Sequence, residues 1–301
     1  MLLLTVVYNR SMEYIIDGIK DIKKSFENEK NTLGISESII EDTHYIKFFS
    51  SNDNLNEHNI KNFNLNVANM LYKVVTTEFC KKEINNFLAD TYFFLQYDEI
   101  KQVKPKIQKA LINEGAISGP NMVYCINRKN KIIDKIIKCI EENNEINISG
   151  FLTFRAKDLF KDLEPIVDKV VEEYMVEKEY NEFIKLLKYF VEVQDSKIDE
   201  ANILIDRSGN YFLRDKDGND LVENMIMELS DVKYDSKESQ EELIISTMIS
   251  SAPKKIIIHC VEHCKNKELI ETISKVFVGR VQYCDNCSEC EKIKSEMAIL
   301  E

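Results

Sequence analysis

The chain opens on an unbroken apolar run, LLLTVVY at residues 2–8. A run this short and this rich in β-formers predicts a strand buried on both faces. The period then changes: Ile15, Ile19, Ile22 and Phe26 fall on one face of a helix, with Ser11 placed to cap it. Two short strands are predicted at 35–40 and 44–49, so the order is β-α-β-β. The polar stretch SSNDNLNEHN that follows reads as a linker or loop.

From about residue 60 to 142 the pattern is helical, with breaks expected near Pro105 and at GAISGP (115–120). Within it, Ile132, Ile133, Ile136, Ile137 and Ile140 form an apolar stripe, and Lys131, Lys135 and Lys138 line the other side. A solvated face is the first reading of those lysines and an anion-binding surface the second. Residues 157–194 repeat the three-four spacing through Phe160, Leu163, Val167, Val170 and Tyr174, then Phe183, Ile184, Leu187, Phe190 and Val191. Pro165 marks either the first turn of this helix or a kink in it. Its carboxylates Glu172, Glu173, Glu177 and Glu182 read as solvated charge.

At 201–222 the period is two, and the turn signals Ser208-Gly209-Asn210 and Asp217-Gly218 predict a hairpin. The end of the chain reads as a helix near 238–250, a strand at 255–259, a helix at 267–278 stopped by Gly279, and a strand at 280–283. That β-α-β order has a crossover long enough for parallel strands. The predicted fold class is mainly helical α+β. An N-terminal unit occupies 1–52, a helical body with the inserted hairpin 56–250, and the β-α-β unit with its cysteines 251–301. Because each strand set is small, the first strand is expected to join the C-terminal strands in one sheet.

Composition narrows the function classes. The 301 residues contain only 8 Gly and 4 Pro, which argues against an all-β fold rich in tight turns and against glycine-rich phosphate loops. Neither GxGxxG, GxxxxGK[ST] nor GxSxG occurs, so no nucleotide cofactor and no catalytic residue is assigned. The net charge of −12 argues against nucleic acid as a partner, although residues 101–138 carry a local +7. No apolar stretch is long enough to span a bilayer and no signal-peptide pattern opens the chain, so a cytoplasmic location is expected. The DKDGND stretch fails as a calcium loop, because Leu213 and Asn224 would occupy its first and twelfth positions. Arg155 is expected to be structural, stacked on a ring or paired with Asp158.

One constellation carries chemistry. His259-Cys260-x2-His263-Cys264 is followed by Cys284-x2-Cys287-x2-Cys290. In a reducing compartment such spacing points to metal or thiol chemistry rather than disulfides. Parallel strands would release both groups at one sheet edge, where two short loops can close a tetrahedral site. Zinc is the expected metal, with Cys260, Cys264, Cys284 and Cys287 as ligands and His263 or Cys290 as alternates. Reduced thiols without a metal compete equally, and an iron–sulfur site is a third reading.

Residues 146–199 carry Phe151-x2-Phe154-Arg155-x-Lys157-Asp158 and Glu177-Lys178-Glu179-Tyr180-x-Glu182-Phe183-Ile184, and SSAPKKIIIH follows later. In these pieces the chain resembles the YtxC-like family of sporulation-associated proteins. The resemblance implies a mostly helical cytosolic protein with no established activity and supplies no catalytic residues. It favours a non-enzymatic interaction protein with an unidentified protein partner. A zinc-binding protein is the alternative, and an enzyme with a scattered site the third.

Overall fold

The computed structural model describes residues 1–9, 12, 15–28, 33–50, 57–112, 121–228 and 240–295. The proposed cap Ser11, positions 51–56 of the stretch read as a linker and the GAISGP segment lie outside the described residues, whereas that stretch's first residue, Ser50, ends a strand and its last three, 57–59, begin a helix. Among the described residues helix far outweighs strand, in two small mixed sheets. The chain divides into two compact units, Met1–Met175 and Val176–Glu301.

Unit one holds β1 (Leu2–Asn9), α1 (Ile15–Asn28), β2 (Leu33–Ile40) and β3 (Thr43–Ser50), the predicted β-α-β-β order. In β1 five consecutive residues, Leu4 to Tyr8, are buried, as the unbroken apolar run requires of a strand covered on both faces. The long helices α2 (Glu57–Glu78), α4 (Tyr97–Ile112) and α5 (Asn121–Glu141) follow, with a π-helical turn at Phe79–Glu83 and α3 (Ile84–Thr91) between the first two. Pro105 does not break α4. Val103, Ile107 and Leu111 are fully buried on one face across it, so packing outweighs the missing hydrogen bond. The break comes instead after α3, where the N–H of Gln96 donates to the Glu99 side chain at the start of α4.

A three-residue strand that periodicity could not show, β4 (Glu145–Asn147), pairs parallel with β1 and completes the sheet order β2-β3-β1-β4. This corrects the expectation that β1 joins the C-terminal strands. It is already paired on both edges, by β3 and β4. After α6 (Ile148–Phe154), α7 (Ala156–Val193) runs for 38 residues with Pro165 inside it, so the proline stands beyond the first turn.

Unit two takes the later part of α7, the hairpin β5 (Glu200–Ile205) and β6 (Tyr211–Asp215), α8 (Leu221–Glu228), α9 (Gln240–Ser251), β7 (Lys255–His259), α10 (Lys267–Val276), β8 (Val281–Tyr283) and α11 (Ser288–Ser295). On α7, Ile184, Leu187 and Val191 are buried here, whereas Phe183 and Phe190 face outward. The sheet order is β6-β5-β7-β8, with β5 parallel to β7 and β7 parallel to β8. The hairpin is therefore half of the C-terminal sheet. The hairpin turn and the turn after β6 are held by side chains: Asp206 accepts from the N–H and side-chain amide of Asn210, and Asp215 does the same for Asn219. In DKDGND the Asp215 carboxylate is thus occupied by its own turn.

Candidate metal centre

β7 delivers the first group. Ile256 and Ile258 are fully buried on one face of the strand, so alternation puts His259 on the other. There His259 Nε2 lies 3.1 Å from Asn202 Oδ1 of the neighbouring β5. The Asn202 amide nitrogen donates to the Glu200 carboxylate and to the Asp215 carbonyl, which fixes its oxygen toward the imidazole. That oxygen can only accept, so Nε2 carries the proton and Nδ1 presents its lone pair on the opposite side of the ring. Burial, against the opposing pull of Glu289 and Glu200, holds the His259 pKa below its ordinary value, which favours the neutral imidazole that a ligand must be.

β8 delivers the second group. The Cys284 N–H donates to the Ile258 carbonyl at 2.9 Å, extending the parallel ladder by one residue and setting Cys284 beside the end of β7. The chain then reverses through Asn286 in a left-handed conformation (φ 88°), and α11 returns Cys290 to the same place. Sulfur–sulfur distances are 3.8 Å for Cys287–Cys290 and 3.7 Å for Cys290–Cys284. His259 Nδ1 lies 3.4 Å from Cys287 Sγ and 3.5 Å from Cys290 Sγ. All four ligand atoms fall within 4.8 Å of one another. Among the described residues no other cluster of His, Cys, Asp or Glu is close enough to share an ion.

The thiols are not equivalent. Burial pushes Cys287 up, but the Cys290 N–H, the Cys284 thiol and the Glu289 N–H outweigh it and leave the thiol below its ordinary pKa. For Cys284 and Cys290 burial prevails and the pKa is raised. A cation shared by these groups would reverse that balance, because a coordinating thiol is deprotonated.

The predicted ligands separate. Cys284 and Cys287 are in the cluster, and so is Cys290, the alternate. Cys260 is buried, with a left-handed backbone (φ 54°), and lies outside the four-atom group. Cys264 is drawn away toward the hairpin, donating to the Asn266 carbonyl at 3.1 Å and lying 3.4 Å from the Tyr211 hydroxyl. His263 sits 3.3 Å from the Ile205 carbonyl at the end of β5. The fourth corner of the cluster is His259, a residue of the motif outside the expected ligand set. The strand alternation that buries Ile256 and Ile258 was the signal for it.

The two histidines of unit one have local partners. His44 contacts Glu37 at 2.7 Å and stacks on Tyr8, and His58 contacts Asn62. Of the α7 carboxylates, Glu172 pairs with Lys169, Glu173 accepts from Asn121, and Glu182 pairs with Lys178.

A model of the YtxC-like family matches residues 65–282, from within α2 to within β8. The chain belongs to the YtxC-like family. It is similar to the Bacillus subtilis (strain 168) protein named "Uncharacterized protein YtxC", 24% identical over 211 residues that cover 67% of this chain and 71% of that one. No solved structure matches it. The family region of this YtxC-like protein includes His259 and stops before Cys284, so three corners of the cluster lie beyond it.

Proposed function

We propose that this YtxC-like protein binds one zinc ion through His259 Nδ1 and the thiolates of Cys284, Cys287 and Cys290, and that the ion is structural. The observation that carries the reading is the set of edge lengths. Tetrahedral zinc with Zn–S near 2.3 Å and Zn–N near 2.05 Å requires S···S of about 3.8 Å and S···N of about 3.5 Å. Four of the six edges of the cluster measure 3.7 and 3.8 Å between sulfurs and 3.4 and 3.5 Å from sulfur to nitrogen, and the other two lie within 4.8 Å. Four protein ligands leave no open position, which is the pattern of a structural rather than a catalytic site. The ion would tie the C-terminal turn and α11 to the end of β7, replacing a hydrophobic core that α11, largely polar, does not supply. Sporulation, implied by the family resemblance alone, is the proposed cellular setting, and a cytoplasmic, reducing location agrees with free thiols as ligands.

Elemental analysis of protein purified anaerobically tests the reading. One zinc per chain is expected, lost in Cys290→Ser and in His259→Ala and kept in Cys264→Ser. Metal well below one equivalent, or loss in Cys264→Ser with retention in Cys290→Ser, would overturn it.

A further inference from the structure

Unit one holds a separate candidate site. A cleft of about 390 Å³ opens between the end of α5 and the junction of α6 with α7. Its floor is apolar, with Phe151 and Leu159 buried, and its rim carries Lys138, Glu142, Arg155 and Asp158. Lys135, the third cation of the lining, is held by Asp162 of α7. Among the described residues none of the four rim groups has an ion-pair or side-chain hydrogen-bond partner. Arg155, expected from sequence to pair with Asp158 or stack on a ring, does neither.

Two free cations and two free carboxylates around one apolar floor leave a rim with no net charge. A simple anion would meet as much repulsion as attraction there, and so would a simple cation. A ligand carrying both signs on one end and an apolar group on the other is complementary to every part of the lining. The guanidinium of Arg155 presents the planar fork that matches a carboxylate. The volume stands at the small end of the range for ligand pockets, about 300–1,000 Å³. We infer that this cleft binds a free amino acid with an apolar side chain, its carboxylate held by Arg155 and Lys138, its ammonium by Asp158 and Glu142, and its side chain on Phe151 and Leu159. This inference is independent of the metal centre.

Calorimetric titration of the full-length protein with L-leucine and L-phenylalanine tests it, with 3-phenylpropanoate, 2-phenylethylamine and inorganic phosphate as comparison probes. At least one amino acid is expected to saturate the protein below ~10 mM, within the range of weak metabolite sites. Each single-charge analogue should bind at least about tenfold more weakly, the scale of one lost charge-assisted hydrogen bond. Arg155→Ala should weaken the amino acid by a similar factor and Arg155→Lys by less, with circular dichroism unchanged because Arg155 is exposed. The inference is overturned by no binding of either amino acid up to ~10 mM. It is equally overturned if 3-phenylpropanoate, 2-phenylethylamine or phosphate binds as tightly as the amino acid, or if Arg155→Ala leaves binding unchanged.

Discussion

Asn202 shows how much a single side chain decides here. Its amide nitrogen is committed to Glu200 and to the Asp215 carbonyl, so its oxygen must face His259 and orient the ring. Removing such an outer partner typically costs 10–100-fold in metal affinity. Asn202→Leu is therefore expected to lower zinc affinity by about that factor in a chelator competition, with the other ligands intact. An unchanged affinity would mean that the histidine is not oriented by β5. None of this is legible in the sequence. Asn202 stands in a strand of ordinary pattern, and its meeting with His259 depends on β5 lying parallel to β7 across a gap of more than fifty positions. The cysteines were legible because C-x2-C-x2-C is a local pattern. The choice among them was not, because Cys290 is brought to the cluster by a final helix too short and polar to show by period.

At the scale of elements, the hairpin turns and one helix crossing make checkable claims. The hydrogen bond from the Asn219 side chain holds Asp215 below its ordinary pKa. For Asp206 burial pushes up, and bonds from Asn210, Ser208 and Gly209 outweigh it. A carboxyl depressed in the folded state stabilises it above the unfolded value and loses that contribution as pH falls. Unit two should therefore lose stability as pH drops through the ordinary aspartate value of 3.8 and below. Denaturant unfolding at a series of pH values should show that loss, and Asp206→Asn with Asp215→Asn should flatten it. A second claim concerns Gly18 of α1, where an added Cβ would run into the Met70 side chain of α2. Gly18→Ala is expected to destabilise the protein by about 1–3 kcal/mol despite its better helix propensity. A neutral or stabilising result in the same assay would contradict the close approach of these helices. The helix α1 itself was readable from Ile15, Ile19 and Ile22, whereas the helix α2 that presses on Gly18 was readable only as a pattern with no address.

At the scale of the whole molecule, the two units predict a divided response to metal removal. Chelation should raise amide hydrogen exchange in β7, β8 and α11 and leave the sheet of β1 and β3 unaffected. Exchange that rises equally in Met1–Met175 would contradict a site confined to unit two. The mixed, mainly helical class was readable because the periods of two and 3.6 are well separated along this chain. The pairing of strands between distant segments was not, since β4 is three residues long and carries no period of its own. Family membership adds no activity, and the family region ends before the cysteines that complete the His/Cys cluster.

X-ray absorption at the zinc edge, on protein purified anaerobically without added metal, addresses the central claim most directly because it counts the ligand atoms. Three sulfur scatterers at about 2.3 Å and one nitrogen at about 2.0–2.1 Å, with the outer-shell pattern of an imidazole, is the result the geometry predicts. A shell of four sulfurs, a shell of oxygen and nitrogen alone, or no zinc in the sample would contradict it.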